Sequence, residues 1–331
     1  MKIFKGLLIV IVVIFALFLF VTVFLPSHYS IERKIEISAP STIVFYLIDD
    51  FRNWRYWDTW WNLDTNQKRI YSGPLFGVNS AFTWQSKDKN VGSGTVKIVE
   101  DKPFEYIRFT MTFGRELTSN CSFRLMPLDE SKVLVSWRMD GELKFLAKWF
   151  RFFLDKVIGK DFEIGLQNIK KLSENIVRDG VVFFKDTFPE MKIIYISDST
   201  KNGQNEIAKI YSITYEELME FSNKHNLKYT GNPISIIRTY SDNVYSFDAC
   251  LPVDSLVQPE GRIKIGTIPQ SFVLRTVYLG SYRSLSSVYE KIHKYLQKNM
   301  LTPKGNFFEM YFTDPQMVSD RENITIIYCP L

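Results

Sequence analysis

The sequence of 331 residues has few cysteines and histidines, two residue types that often bind metals or act in catalysis. Its 3 cysteines are widely spaced and lack a CxxC pattern, which argues against a disulfide framework and against a structural zinc site. Its 3 histidines lie beside an apolar run and on two polar helix faces, and they form no recognisable triad. We therefore expect no metal, no cofactor and no catalytic residue. The three cysteines are Cys121, Cys250 and Cys329, and the three histidines are His28, His225 and His293.

Common nucleotide-binding and hydrolase motifs are absent too. The sequence has no Walker loop, no GxSxG and no GxGxxG, which excludes the familiar phosphate-binding loops and the nucleophile elbow. The net charge of +5 is mild, and no dense Lys/Arg tract accompanies it, so we expect no nucleic acid partner. A transcription regulator would need a helix-turn-helix, and the sequence offers none. Nothing in it identifies a protein partner.

What the sequence does contain is an ordinary globular composition, 46% apolar and 23% charged, preceded by one long run without charge. From Gly6 to Leu25 only Thr22 is polar, and about 20 helical residues span roughly 30 Å, the hydrocarbon thickness of a bilayer. A cleaved signal peptide is the alternative, but its apolar region would be shorter and would end in small residues. We predict an uncleaved transmembrane anchor over residues 1–28. Lys2 and Lys5 favour a cytoplasmic N-terminus, with the soluble part outside a bacterial inner membrane.

The first soluble region begins with an alternating strand, Tyr29 to Ile37, and a helix that follows Pro40. A long helix from Leu143 to Ile176 closes it, and Gly159 is expected to interrupt the apolar stripe along that helix. Between them, five short strand patterns are separated by turn residues. These strands are Ala81 to Gln85, Gly94 to Glu100, Tyr106 to Phe113, Cys121 to Met126 and Val133 to Met139.

Four motifs in this region carry a family resemblance. They are Ile31-Glu32-Arg33-Lys34-Ile35-Glu36-Ile37-Ser38-Ala39-Pro40, Val44-Phe45, Asp50-Phe51-Arg52-Asn53-Trp54 continuing to Trp57, and Gly92-Ser93-Gly94 leading to Glu100-Asp101-Lys102-Pro103. With the element order, they resemble the START-like or SRPBCC superfamily, and within it the polyketide cyclase/dehydrase-like lipid-transport group, over residues 29–178. The resemblance implies a helix-grip fold, in which a curved antiparallel sheet holds a long C-terminal helix above an apolar cavity. It implies binding of a lipid or other hydrophobic small molecule and fixes no chemistry.

Alternation along the predicted strands indicates which side chains would face that cavity, although each is also a candidate for ordinary core. The candidates are Phe109, Met111, Trp84, Trp137 and Phe153. A tryptophan cluster precedes them, formed by Trp54, Trp57, Trp60 and Trp61. Four indoles beside polar residues do not all fit a central core, so we expect them at the cavity mouth or at the bilayer interface.

After residue 178 the pattern changes, and from residue 190 onwards two similar halves follow one another. Each reads strand, helix, strand, strand, so the second domain, 190–331, is predicted to be a duplicated β-α-β-β unit within an overall α+β protein. The first half ends in Phe247-Asp248-Ala249-Cys250-Leu251-Pro252-Val253 and the second in Tyr328-Cys329-Pro330-Leu331.

These endings, with Leu279-Gly280-Ser281-Tyr282 and Phe308-Glu309-Met310-Tyr311, resemble the GyrI-like small-molecule-binding domain, the effector-binding domain of many bacterial activators. The family's usual Gly-Pro-Tyr reads Gly280-Ser281-Tyr282 here. The resemblance implies an aromatic cleft with a central glutamate, which falls on Glu309. The cleft walls it implies are Tyr278, Tyr282, Phe307 and Tyr311, with Phe247 and Tyr240 from the other half. Without the resemblance, Glu309 would be read as a solvated strand residue.

Together these features predict a membrane-anchored, non-catalytic protein with two small-molecule-binding modules, an apolar cavity for a hydrophobic ligand and an aromatic cleft for a cationic or aromatic one. An aromatic cleft with a carboxylate suits a cation, because the ring faces attract it as well. The alternative is a membrane-tethered hydrolase of reactive small molecules that uses Glu309 and Tyr282.

Overall fold

The computed structural model describes residues 2–114, 117–201, 203–241 and 243–331. The chain opens with helix α1, Lys2–Phe24, whose apolar side chains are almost all exposed. Within it, Phe4–Phe24 has a mean hydropathy of 3.4 and is 6% buried, so its length and composition suit either a membrane anchor or a signal sequence. Among the described residues it is the one helix with these properties.

The first domain is a seven-stranded antiparallel sheet with a long helix packed against it. The strands are β1 His28–Ile37, β2 Lys68–Ser72, β3 Ala81–Gln85, β4 Ser93–Lys102, β5 Tyr106–Phe113, β6 Leu117–Asp129 and β7 Lys132–Glu142, and the helices are α2 Ser41–Asp49, α3 Thr59–Leu63 and α4 Arg151–Asp179. The strand order is β1-β7-β6-β5-β4-β3-β2, so the chain meanders from β2 to β7 and the first strand closes the far edge. The predicted α+β fold with a helix gripped by a curved sheet is confirmed.

Two glycines let α4 approach the sheet closely. Gly165 faces the ring of Trp137, which stacks on Phe162 with centroids 3.9 Å apart. Gly159 lies within α4, which runs through it without a break. A side chain at Gly159 would collide with the guanidinium of Arg33, so this glycine makes room for a packing contact.

The interior of the first domain is filled with aromatic rings. Trp54 and Trp57 are 1% and 0% exposed, and their indole Nε1 atoms donate to the carbonyl oxygens of Ile48 at 2.7 Å and Leu47 at 2.9 Å. The expectation that the tryptophan cluster lies at a cavity mouth or a bilayer interface is therefore wrong for this pair. Backbone carbonyls satisfy both indole N–H groups, which removes the cost of burying them.

The second domain is an eight-stranded antiparallel sheet with two helices on one face. Its elements are β8 Val181–Phe188, β9 Met191–Thr200, α5 Gln204–Lys224, β10 Ile234–Tyr240, β11 Tyr245–Pro252, β12 Lys264–Ile268, β13 Ser271–Leu279, α6 Leu285–Lys298, β14 Phe308–Tyr311 and β15 Ile324–Pro330. The order β12-β9-β11-β10-β14-β15-β13-β8 places two β-α-β-β units on either side of the β10–β14 pair. The predicted duplication is confirmed. The sheet starts before residue 190, because Val181–Phe188 pairs with β13.

The sheet face without helices packs against the first domain. Along β13, Leu274 and Tyr278 pack with α6, whereas Val273 and Val277 belong to the core shared with the first domain. Arg275 lies on the same side as the two valines and is 1% exposed. Because strand side chains alternate, one strand serves the helix layer on one face and the domain interface on the other.

Candidate functional site

A cleft of about 1950 Å³ opens in the second domain between α5 and α6, above strands β10 and β14. It is large enough for a drug-sized molecule. The aromatic side chains that line it are Tyr211, Tyr215, Tyr240, Tyr245, Tyr282, Tyr289, Phe307, Tyr311 and Phe312. The two helices supply opposite walls, so the internal duplication itself creates the cleft.

Glu309 lies at the centre of this cleft because of strand alternation. On β14, Phe308 and Met310 point into the shared core, which turns Glu309 and Tyr311 towards the helices. Glu309 is directly opposite Ser235 of β10, the pair about which the two halves are arranged. The second half therefore has a carboxylate where the first half has a hydroxyl.

The Glu309 carboxylate is 4% exposed and receives two hydrogen bonds from tyrosines. Tyr289 on α6 donates to Oε1 at 2.7 Å, and Tyr311 donates to Oε2 at 3.0 Å. Burial raises the pKa of Glu309, and the two tyrosine donors offset only part of that effect. No ion pair among the described residues includes Glu309. The cleft therefore holds a buried acid without a cationic partner.

The first half of the cleft mirrors this arrangement with hydroxyl groups. The Tyr211 hydroxyl contacts both Ser235 Oγ and the Tyr245 hydroxyl, the latter at 2.8 Å. Tyr215 donates to the carbonyl oxygen of Ile234 at 2.8 Å. Burial raises the pKa of Tyr211, Tyr215 and Tyr245, so these hydroxyls stay protonated at neutral pH. Around Glu309 the cleft presents aromatic rings and neutral tyrosine hydroxyls, and its lining also includes the charged side chains Glu216, Glu220, Arg283, Asp314 and Asp320.

Five of the residues that the sequence singled out line the cleft together: Glu309, Tyr282, Phe307, Tyr311 and Tyr240. The other two candidates in this domain stand behind its wall. Tyr278 donates to the carbonyl oxygen of Ser281 at 2.9 Å and so shapes the loop before α6. Phe247 is 1% exposed and supports Tyr211 with ring centroids 4.3 Å apart.

Sequence reasoning missed the tyrosines that the helices contribute, Tyr211, Tyr215 and Tyr289, together with Tyr245 on β11. A tyrosine on an amphipathic helix reads as ordinary packing, and no local pattern shows that its hydroxyl reaches a strand of the sheet. The available signal was the duplication. Tyr215 and Tyr289 occupy matching places before Ser235 and Glu309, and that match points to a shared role.

The candidates in the first domain lie elsewhere in the molecule. Phe109 and Trp137 are each 1% exposed and sit within the aromatic core. Trp84 and Met111 border a void of about 10 Å³, which has room for one water molecule at most. Phe153 is 65% exposed on the outer side of α4. The structure does not bring these five side chains together around a ligand-sized cavity.

The chemistry of the described residues offers no metal centre, because no group of three or more His, Cys, Asp or Glu side chains clusters among them. All three cysteines are buried, and burial raises the pKa of each thiol. They are therefore poor thiolate ligands and poor nucleophiles.

Two family models match the chain in tandem. Residues 28–174 match the family described as polyketide cyclase / dehydrase and lipid transport, and residues 184–331 match the GyrI-like small molecule binding domain. The chain combines one domain of each kind. Both resemblances drawn from the sequence are confirmed, and both domains are of small-molecule-binding types.

Several solved structures resemble one domain or the other. The EcmrR C-terminal domain is 17% identical, covers 45% of this chain and 96% of its own, and has a TM-score of 0.42. A START superfamily protein from Mycobacterium smegmatis is 15% identical, covers 44% of this chain and 98% of its own, with a TM-score of 0.35. The Zhui aromatase/cyclase from a Streptomyces species is 12% identical, covers 46% and 96%, and has a TM-score of 0.37. No curated protein matches the chain significantly.

Proposed function

We propose that this protein is a membrane-anchored, non-catalytic receptor for a cationic aromatic small molecule, which binds in the cleft between α5 and α6. The observation that carries the proposal is Glu309, a buried carboxylate that has tyrosine donors and no cation beside it. An unpaired buried acid is unfavourable for the free protein, so its presence makes sense where a ligand supplies the missing charge.

The aromatic walls add selectivity for a flat or bulky cation. A cation over a desolvated ring face gains about 2 kcal/mol or more, and several rings surround Glu309. The hydroxyls of Tyr211 and Tyr245 belong to the first half of the cleft and offer neutral hydrogen bonds close to Glu309, because Tyr211 contacts Ser235 on the neighbouring strand. A ligand with one cationic centre and a polar group close to that centre fits this distribution.

Packing between α1 and the first domain supports an uncleaved anchor over a removable signal. Phe18 stacks on Trp149 with centroids 5.0 Å apart, and Trp149 Nε1 donates to Thr22 Oγ1 at 2.7 Å. A signal peptide that is cut away needs no such contacts with the mature domain. The anchor therefore holds the two soluble domains against a membrane, with the N-terminus on the cytoplasmic side as the flanking lysines favour.

In this conformation the first domain packs against the second through a shared core and has no open ligand-sized cavity of its own among the described residues. Its interior is closed by Trp54, Trp57 and Trp137, and the void beside Trp84 is small. Family membership makes hydrophobic-ligand binding its natural capacity, and a ligand there would have to displace part of this aromatic core.

Binding is tested with tetraphenylphosphonium and the neutral triphenylphosphine oxide on the full chain in detergent, read by calorimetry and thermal shift. We expect the cation to bind and to raise Tm, and the neutral compound to bind at least tenfold more weakly. Equal affinity for both compounds would contradict a role for the Glu309 charge. Binding of neither would count against the cleft as a site for aromatic cations of this size.

A buried acid with a raised pKa is also suited to general acid–base catalysis, which keeps the hydrolase as a second candidate. Tyr289 and Tyr311 donate hydrogen bonds to Glu309, and the ring of Tyr282 packs against that of Tyr311 with centroids 5.7 Å apart. Burial raises the pKa of Tyr282 to about 12, so its hydroxyl stays protonated at neutral pH and does not serve as a general base. Turnover of an ester or cyclopropanoid probe that is lost in Glu309→Gln would favour the hydrolase.

A further inference from the structure

A cluster of exposed apolar side chains lies where the last strand of the first sheet leads into α4. Six of them are between 43% and 65% exposed, although they belong to a soluble domain: Phe145, Leu146, Phe150, Phe152, Phe153 and Val157. We call them the 145–157 surface. Phe150 immediately precedes α4 and forms one stripe with Phe153 and Val157 on that helix, whereas Phe162 further along the helix faces the core. Exposed apolar clusters of this kind mark a surface that binds a protein, a ligand or a membrane.

The C-terminal end of α1 is packed against this surface. The Phe18 ring stacks on Trp149 at an interplanar angle of 13°, and the Trp149 indole donates to Thr22. Lys148 Nζ donates to the carbonyl oxygen of Thr22 at 3.2 Å, one of the carbonyls at the end of α1 that have no helical partner. The apolar surface of α1 therefore continues onto the 145–157 surface through the Phe18–Trp149 stack, with the Lys148 ammonium held beside it on the Thr22 carbonyl.

The position of this contact along α1 sets its depth. Phe18 lies six residues before Phe24, the end of the helix, which corresponds to about 9 Å at 1.5 Å per residue. Amphipathic segments that lie in a membrane interface insert their apolar face by about 5–10 Å. If α1 spans the bilayer, the residues around Trp149 are at the boundary between headgroups and acyl chains.

The charges around the 145–157 surface suit anionic lipid headgroups. The segment 144–160 contains five basic residues, Lys144, Lys148, Arg151, Lys156 and Lys160, and one acidic residue, Asp155. Asp155 is already paired with Arg33 at 2.9 Å. An apolar stripe with a basic border is the pattern of segments that rest on anionic membranes.

We propose that the 145–157 surface is a second membrane contact, inserted in the leaflet that contains the C-terminal end of α1. This inference rests on the proposed anchoring by α1. Two contacts, one spanning and one interfacial, would fix the tilt of the first domain on the bilayer and, through the domain interface, the direction in which the cleft opens. The lipid surface is the occupant that continuity with α1 and the basic border both favour.

Site-specific labelling tests this contact, because the three native cysteines are buried and leave a new exposed cysteine as the reactive one. The full chain carrying Phe153→Cys is labelled with the fluorophore NBD and reconstituted into vesicles of phosphatidylcholine and phosphatidylglycerol. We expect a blue-shifted emission and loss of intensity with lipids that carry a doxyl quencher high on the acyl chain. Phe153 is exposed, so its replacement leaves the core of the domain intact.

Two further label positions separate the possible failures. Ile14→Cys reports on α1 and should be quenched most by a doxyl group near the end of the acyl chain, whereas Lys298→Cys, exposed on the second domain, should be quenched by neither lipid. Quenching at Ile14 without quenching at Phe153 would overturn the second contact and leave the anchor standing. Absence of quenching at both would overturn the anchor as well. A blue shift at Phe153 without lipid quenching would show that protein covers the surface, which also contradicts the proposal.

Discussion

The guanidinium of Arg275, in the second domain, donates to the carboxylate of Asp50, in the first domain, at 3.0 Å. Both side chains are buried, and the same guanidinium also lies 3.1 Å from Asp186 Oδ2 on β8 and donates to the Tyr46 hydroxyl. The two domains therefore share an ionic cluster within their common core, and we expect them to unfold as a single unit.

Arg275→Met tests that coupling. The substitution leaves Asp50 and Asp186 buried without their cation, and losing one partner of a buried ion pair costs about 3–5 kcal/mol. We expect a large fall in the free energy of unfolding, measured by denaturant titration, and separate transitions for the two domains. Arg178→Met is the matched control, since that arginine is exposed and its loss should change stability by about 0.5 kcal/mol or less. A small effect of Arg275→Met would show that the cluster does not couple the domains.

Glu309→Gln should separate ligand affinity from stability. Interactions of a charged group are worth about 1.5–3 kcal/mol, so the affinity for tetraphenylphosphonium should fall about 10- to 100-fold. In the absence of ligand the variant should be more stable than the parent at neutral pH, because the raised pKa of Glu309 means that its ionised form is disfavoured in the folded state. Calorimetry measures the first effect and thermal unfolding the second. A less stable variant would indicate that Glu309 has a structural role.

The tyrosine donor to Glu309 should set the pH at which cations bind. The Tyr289 hydroxyl lowers the pKa of Glu309, so Tyr289→Phe should raise it further. Since the carboxyl group attracts a cation only when it is ionised, the midpoint of binding against pH should move upward in Tyr289→Phe. Tyr282→Phe serves as the control, because that ring lines the cleft while Tyr289 and Tyr311 provide the donors to Glu309. An equal shift in both variants would mean that burial alone controls the titration.

Asp49 should make the protein less stable as the pH rises. Burial raises the pKa of Asp49 to about 8, although the Gly77 N–H donates to its Oδ1 at 3.0 Å and this hydrogen bond lowers the pKa. Between the unfolded value of 3.8 and about 8 the folded state holds a proton that the unfolded state has lost, so the free energy of unfolding falls as pH rises across that range. Asp49→Asn should flatten this slope, as measured by denaturant titrations from pH 5 to about 8. The exposed Glu130→Gln should leave the slope unchanged, and an unaltered slope in Asp49→Asn would contradict the assignment.

Glu309 and the long helix show what could be predicted from sequence, and the tryptophans show what could not. The α4 stripe and the two β-α-β-β units follow from residue periodicity, which is a local property. Glu309 was found through a family motif, because one acid on a short strand carries no signal of its own. Trp54 and Trp57 were misplaced because an indole suits a core, a cavity mouth and a membrane interface equally well by composition.

The sequence by itself determined the apolar helix, the order of the two domains and the internal duplication, since each depends on patterns within a continuous stretch of chain. Only the tertiary structure decided that Trp137 and Phe109 fill the first domain, that Phe153 lies exposed beside α1, and that Tyr289 reaches Glu309. Those outcomes depend on which surfaces meet after folding. The same aromatic side chain gains nearly the same free energy against a protein core, a ligand or a lipid, so its chemistry alone does not select among them.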